Sequence, residues 1–214
     1  KNVGTAKAVS VTGINVTGTD AGNYTFNTTA ATAADITARA LAVSVTGQNR
    51  VYDGTTSAAV TLSDNRVAGD VLTLSNTAAN FADKNVGTAK AVSVTGINVS
   101  GADAGNYSFN TTAATAADIT ARALTVSATG QNRVYDGTTS ANVTLADNRV
   151  AGDVLVIGST ANFADKNVGT AKAVSVTGIN VTGTDAGNYT FNTTAATAAD
   201  ITARALTVSA AGQN

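Results

Sequence analysis

The string KNVGTAKAVSVTGINV starts at Lys1 and recurs at Lys84 and Lys166, offsets of 83 and 82 residues. The string VYDGTTSA starts at Val51 and again at Val134, also 83 apart. Such a period constrains the fold more than any local feature, because every copy must fold alike and pack against its like. Residues 1–41 and 166–206 are identical, and the middle copy departs from them only at Ser100, Ala102 and Ser108. The one-residue slip lies where LSNTAANF (Leu74 to Phe81) becomes IGSTANF (Ile157 to Phe163). A slip inside a paired strand would turn every following side chain to the other face, so it marks a loop or strand end. Placing the frame at ADITARAL gives a partial copy 1–39, full copies 40–122 and 123–204, and the start of another at 205–214.

Inside a copy the signal is alternation. Val43 and Val45, Val60 and Leu62, Leu72 and Leu74, and Val92 and Val94 each alternate with small or polar residues. That is the period of a half-buried strand. Asp53-Gly54, Asp64-Asn65, Gly69-Asp70 and the run from Gly101 to Gly105 punctuate these stretches with turn chemistry. The parity changes between Val94 and Ile97, which places a bulge or bend at Gly96. The expectation is an all-β chain of tandem small β-sandwich (Ig-like) repeats in an elongated rod, with a β-solenoid as the alternative. The junction from Asp118 to Val126 has neither Gly nor Pro. It reads as strand following strand and should be stiff. A half-copy at 1–39 would leave an apolar face and open edges, to be completed by neighbouring chain in a longer fibre.

Composition bears on chemistry. His, Cys and Glu are absent and all fourteen acids are Asp. The commonest general bases, nucleophiles and metal ligands are therefore missing. Net charge is −1 with no basic run, which argues against nucleic-acid partners. No apolar stretch reaches the roughly 20 residues of a membrane-spanning helix. The eight aromatics Tyr52, Phe81, Tyr107, Phe109, Tyr135, Phe163, Tyr189 and Phe191 stand at equivalent places and are expected in the core.

Four site chemistries compete with plain turn capping and solvation of the same side chains. Asp20, Asp103 and Asp185 are weak calcium candidates in their Asp-Ala-Gly-Asn turns, without the spacing of a calcium loop. Lys84 and Lys90 are available for a Lys–Asn or Lys–Asp isopeptide bond. Asn98, Asn106 and Asn110 begin N-x-S/T triplets that chance alone explains in so Asn/Thr-rich a chain. Asp53, Asp64, Asp70 and Asp83 could form a hydrolytic pair only if the fold brought two together. No catalytic residue and no cofactor is expected.

The series VYDGTTSA, GDVL, ANFADKNVGTAKAVSVTG and GADAGNYSFNTTAATAADITARAL resembles the YDG-type repeat, related to the bacterial Ig-like repeats labelled MBG. Tyr52-Asp53-Gly54 and Tyr135-Asp136-Gly137 match its name motif. Asn106-Tyr107 and Asn188-Tyr189 match its late one. The resemblance implies tandem modules of large secreted bacterial adhesins, filamentous-haemagglutinin-like exoproteins among them. It thereby implies an extracellular or cell-surface location and a non-catalytic stalk or fibre role. The partners it implies are neighbouring repeats, identical chains in a fibre, or a glycan or cell-surface ligand.

Overall fold

The computed structural model describes residues 2–212, and the chain is all-β. The partial copy contributes β1 (Gly4–Thr12) and β2 (Thr29–Ile36). The next copy contributes β3 (Arg39–Leu41), β4 (Val43–Gly47), β5 (Arg50–Val51), β6 (Val60–Asp64), β7 (Thr73–Ser75), β8 (Ala78–Phe81), β9 (Gly87–Thr95), β10 (Asn98–Ser100), β11 (Tyr107–Phe109) and β12 (Thr112–Thr120). The last contributes β13 (Arg122–Leu124), β14 (Val126–Gly130), β15 (Arg133–Val134), β16 (Val143–Asp147), β17 (Val156–Phe163), β18 (Gly169–Thr182), β19 (Tyr189–Phe191) and β20 (Ala195–Thr202). The only helical elements among the described residues are single 3-10 turns at Ala21–Asn23, Ala104–Asn106 and Ala186–Asn188.

The length slip has a clear structural effect. In the longer copy Asn76 and Thr77 separate β7 from β8; in the shorter one β17 runs through without a gap. The register of β17 on β18 shifts between Gly158 and Thr160. The bend at Gly96 is present, with φ of +65° there and +62° at Gly178. A residue other than glycine would be strained at either place.

The chain packs into two compact units, and neither is a contiguous copy. The first comprises residues 1–48, 57–81 and 91–116; the second comprises 49–56, 82–90 and 117–214. Two short segments of the 40–122 copy, one carrying Tyr-Asp-Gly and one carrying Lys84, thus build the second unit.

In the first unit, β1–β2, β4–β6, β7–β10 and β8–β9 pair antiparallel, and β3–β11 pair parallel. Leu41, Val43, Phe81, Val92 and Val94 fill its core. The β1–β2 hairpin repeats the residues of β9 and β12 without their cover. Val9 and Val11 are 39% and 43% exposed, whereas their equivalents Val92 and Val94 are 1% and 0%.

In the second unit the largest sheet has the order β15-β20-β18-β17, parallel only at β15–β20. β14–β16 pair antiparallel, and β13–β19 and β5–β12 pair parallel. Phe163, Val174, Val176, Ile179 and Ile201 are its apolar centre. Hairpins and antiparallel pairs dominate both units, unlike the parallel stacked coils of a solenoid.

A strained bulge recurs where the Lys84 segment leads into β9. Ala6, Ala89 and Ala171 have φ of +49°, +47° and +46°. Their N–H groups donate to Asp35, Asp118 and Asp200 at 2.7–2.8 Å. A left-handed alanine costs about 1 kcal/mol, and the fixed carboxylate acceptor helps to hold it.

Candidate functional site: a buried Tyr–Asp–Lys cluster

The second unit buries a polar cluster drawn from distant segments. Arg149 sets up one side of it. Its Nε and Nη2 donate to Asp147 at 2.8 and 2.5 Å, and its Nη1 donates to the Leu155 carbonyl at 2.9 Å. This fork closes the Val150–Leu155 loop and turns Asp153 inward, where its side chain is 2% exposed.

Asp153 accepts from three groups. The Tyr52 hydroxyl donates at 2.9 Å, the Tyr189 hydroxyl at 2.5 Å, and the Lys84 ammonium at 2.9 Å. Lys84 also pairs with Asp185 at 2.8 Å and lies 5.8 Å from the Tyr52 ring centre. The two tyrosine rings meet edge to face, centres 5.5 Å apart. The Tyr189 oxygen in turn accepts the Val150 N–H at 2.9 Å. Asn188 accepts the Val86 N–H at 2.9 Å and so fixes the segment that carries Lys84.

Each letter of the Tyr-Asp-Gly motif has a separate task here. Tyr52 is the fully buried plug. The Asp53 carboxylate accepts the Thr55 N–H and an Arg50 guanidinium N–H, closing the turn. Gly54 has φ of +81°, and a Cβ there would sit 2.7 Å from a Val150 methyl carbon. Its equivalent Gly137 has φ of +83° but open space around it. Gly54→Ala is therefore expected to destabilise the fold by about 2–3 kcal/mol and Gly137→Ala by about 1 kcal/mol, because only the first adds a clash to the backbone strain. Urea denaturation of the two variants checks this.

The electrostatics hold the cluster in its charged form. Burial works against Asp153 ionising, yet the donated hydrogen bonds from Tyr189, Lys84 and Tyr52 keep its carboxyl below the usual carboxylate range. The Lys84 ammonium, with the Val154 N–H, does the same for Asp185. The two carboxylates and the Tyr52 hydroxyl raise Lys84 above its ordinary value. Burial and the Asp153 carboxylate push Tyr189 up to about 12. Lys84 is thus the counter-ion shared by Asp153 and Asp185.

The pH consequences have definite signs. The lowered carboxylates stabilise the fold above their unfolded value of 3.8, and that stability is lost as pH falls through their folded values. The raised Lys84 and tyrosines stabilise it below their unfolded values of 10.5 and 10.0, and that is lost as pH rises beyond them. Thermal midpoints should be level from about pH 5 to about pH 9.5 and fall on both sides. Tyr52→Phe should flatten part of the alkaline fall.

The structure disperses the other candidate residues. Asp185 faces Lys84, Asp103 accepts the Val71 N–H at 3.0 Å, and Asp20 is exposed. No cluster of three or more metal-ligating acids occurs among the described residues. Asp64 is held by Arg66, Asp70 accepts from Tyr107, and Asp83 pairs with Lys90. Tyr52, Phe81, Tyr107, Phe163 and Tyr189 are buried, while Phe109, Tyr135 and Phe191 are half-buried. Sequence reasoning missed Asp153, whose identity with Asp70 gives no local sign of its burial.

The family model for the YDG domain matches residues 1–33, 37–116 and 120–198. The chain belongs to the YDG domain family. Neither the curated proteins nor the solved structures include a match to it. In this YDG chain the name motif contributes to the core of the unit built mainly from the following copy: Tyr52 and Asp153 are 101 residues apart. The matched segments and the packed units divide the chain differently for that reason.

Proposed function

We propose that this YDG chain is a non-catalytic structural segment, a run of stalk or fibre modules in an extracellular bacterial surface protein. The observation that carries the reading is the buried cluster itself. It takes Tyr52 and Lys84 from one copy and Asp153, Asp185 and Tyr189 from the next, so consecutive copies share a core. Polar residues that could do chemistry are engaged in holding chain segments together. In the two full copies, Tyr107 and Tyr189 are 7% and 6% exposed, which favours a scaffold over an aromatic glycan platform. No helix among the described residues is long and apolar enough to cross a membrane.

Sandwich-like modules strung in a stiff rod are the arrangement this role calls for. Electron microscopy of the purified chain tests it. Short straight rods of uniform length support the stalk; freely hinged beads overturn it. Saturable binding on a glycan array would move the assignment to an adhesive module.

A further inference from the structure

Lys84 stands between two carboxylates that differ in setting. Its Nζ lies 2.9 Å from Asp153 Oδ1 and 2.8 Å from Asp185 Oδ1. The Asp153 side chain is 2% exposed, and its other oxygen, Oδ2, accepts from the Tyr52 hydroxyl at 2.9 Å and the Tyr189 hydroxyl at 2.5 Å. Asp185 is anchored through Oδ2, which accepts the Val154 N–H at 3.0 Å, and so presents Oδ1 to the lysine. An amine, a carboxyl polarised by two hydroxyls and a second acid beside the amine are the parts of an amide-forming site.

We propose that Lys84 and Asp153 condense to an isopeptide bond, with Asp185 as the proton carrier. Asp185 takes one proton from the ammonium along the 2.8 Å contact, and the neutral Nζ attacks Asp153 Cγ. Charge developing on Oδ2 is met by the two tyrosine hydroxyls already donated to it. The Nζ–Cγ bond forms and the Cγ–Oδ1 bond breaks. Oδ1 leaves as water with two of the three ammonium protons, one of them delivered by Asp185, and the third stays on the amide nitrogen. The ion pair is the starting state, the net charge of the cluster is the same before and after, and no co-reactant is consumed.

Two effects favour the step. The fold holds the amine on the carboxyl, which replaces a bimolecular encounter by an intramolecular one. The product is a neutral amide in place of a buried ion pair, and burial is the influence that works against the Asp153 charge. Proximity alone does not select this pair. Lys90–Asp83 and Lys172–Asp165 are as close, at 2.7 and 2.6 Å, but their carboxylates are 52% exposed and are stabilised as ions by water. The bond links residues 69 apart and joins one copy covalently to the next. It follows from this geometry whatever the role of the chain. In the joined chain Lys84 and Asp153 no longer titrate, so the pH limits set by that pair belong to the ion-paired chain.

Intact-mass spectrometry of the purified, folded chain tests the proposal, with tryptic mapping to locate the bond. The expected mass is one water below that of the sequence, and trypsin should fail to cut at Lys84. A branched peptide of residues 67–90 joined to 150–166 should appear. Lys84→Arg keeps the charge and should show the full mass. Asp185→Asn keeps the Lys84–Asp153 pair but removes the proton carrier, and should contain at least about tenfold less joined chain. Circular dichroism checks that both variants fold. A folded wild-type chain of full mass overturns the proposal. So does a branched peptide carrying residues 173–204, which would make Asp185 the partner. A loss of water that persists in Lys84→Arg also overturns it, the result expected from succinimide formation at Asp53-Gly54 or Asp136-Gly137.

Discussion

Asp153→Ala should lower the stability of the second unit by about 3 kcal/mol, read as a fall in the urea midpoint by far-UV circular dichroism. The substitution leaves two buried tyrosine hydroxyls without their acceptor, each costing about 1–3 kcal/mol. The Lys84 contribution is discounted, because that side chain is 35% exposed and keeps Asp185. The matched change Asp70→Ala is expected to shift the midpoint less than half as far. Asp70 accepts from Tyr107 but is less buried than Asp153, so its loss exposes less unmet hydrogen-bonding potential away from water. Equal shifts would mean that the cluster adds nothing beyond the Tyr–Asp pair present in both units.

Tyr52→Ala should be the most damaging single change of the Tyr-Asp-Gly motif, at about 4 kcal/mol. It removes a ring with no exposed surface, opens a cavity between Tyr189 and Asp153, and strips Asp153 of a donor. Tyr135→Ala, seven identical motif neighbours notwithstanding, should cost about 1 kcal/mol or less, because that ring is half in solvent. Tyr52→Phe should lie between the two, since it keeps the ring and loses only the hydroxyl contact to Asp153. The comparison is internally controlled: the same residue, in the same motif, is changed in one protein under one condition.

These contrasts also bear on the role proposed for the chain. A stalk under load depends on each copy holding the next, and the cluster supplies a hold made of ionic, hydrogen-bonded and aromatic contacts together. Its cooperativity comes from exclusion of water, which strengthens each member and penalises loss of any one. A substitution in the cluster should thus weaken the segment more than its place in any single copy implies.

Much of the fold was legible in the residues. The alternation of Val92 with Val94 and of Val60 with Leu62 gave strands, and Gly96 gave the bend. The slip between Leu74 and Phe81 falls at a strand break in the longer copy, but in the shorter one it lies inside β17, where a register shift between Gly158 and Thr160 absorbs it. These features are local: side-chain alternation and the freedom of glycine act over two to four residues, so a sequence states them directly.

The site was not legible in the same way. Tyr52 and Tyr135 have the same neighbours in sequence, as do Asp153 and Asp70, yet one member of each pair is sealed and the other is not. What separates them is which remote segment covers them, over separations of 36 to 101 residues. The repeat period, the strand-forming pattern and the family were therefore fixed by the sequence alone. The division into packed units and the burial of Asp153 with Lys84 and two tyrosines were decided by tertiary structure. Burial is a property of the surrounding chain, and identical strings acquire different chemistry when their surroundings differ.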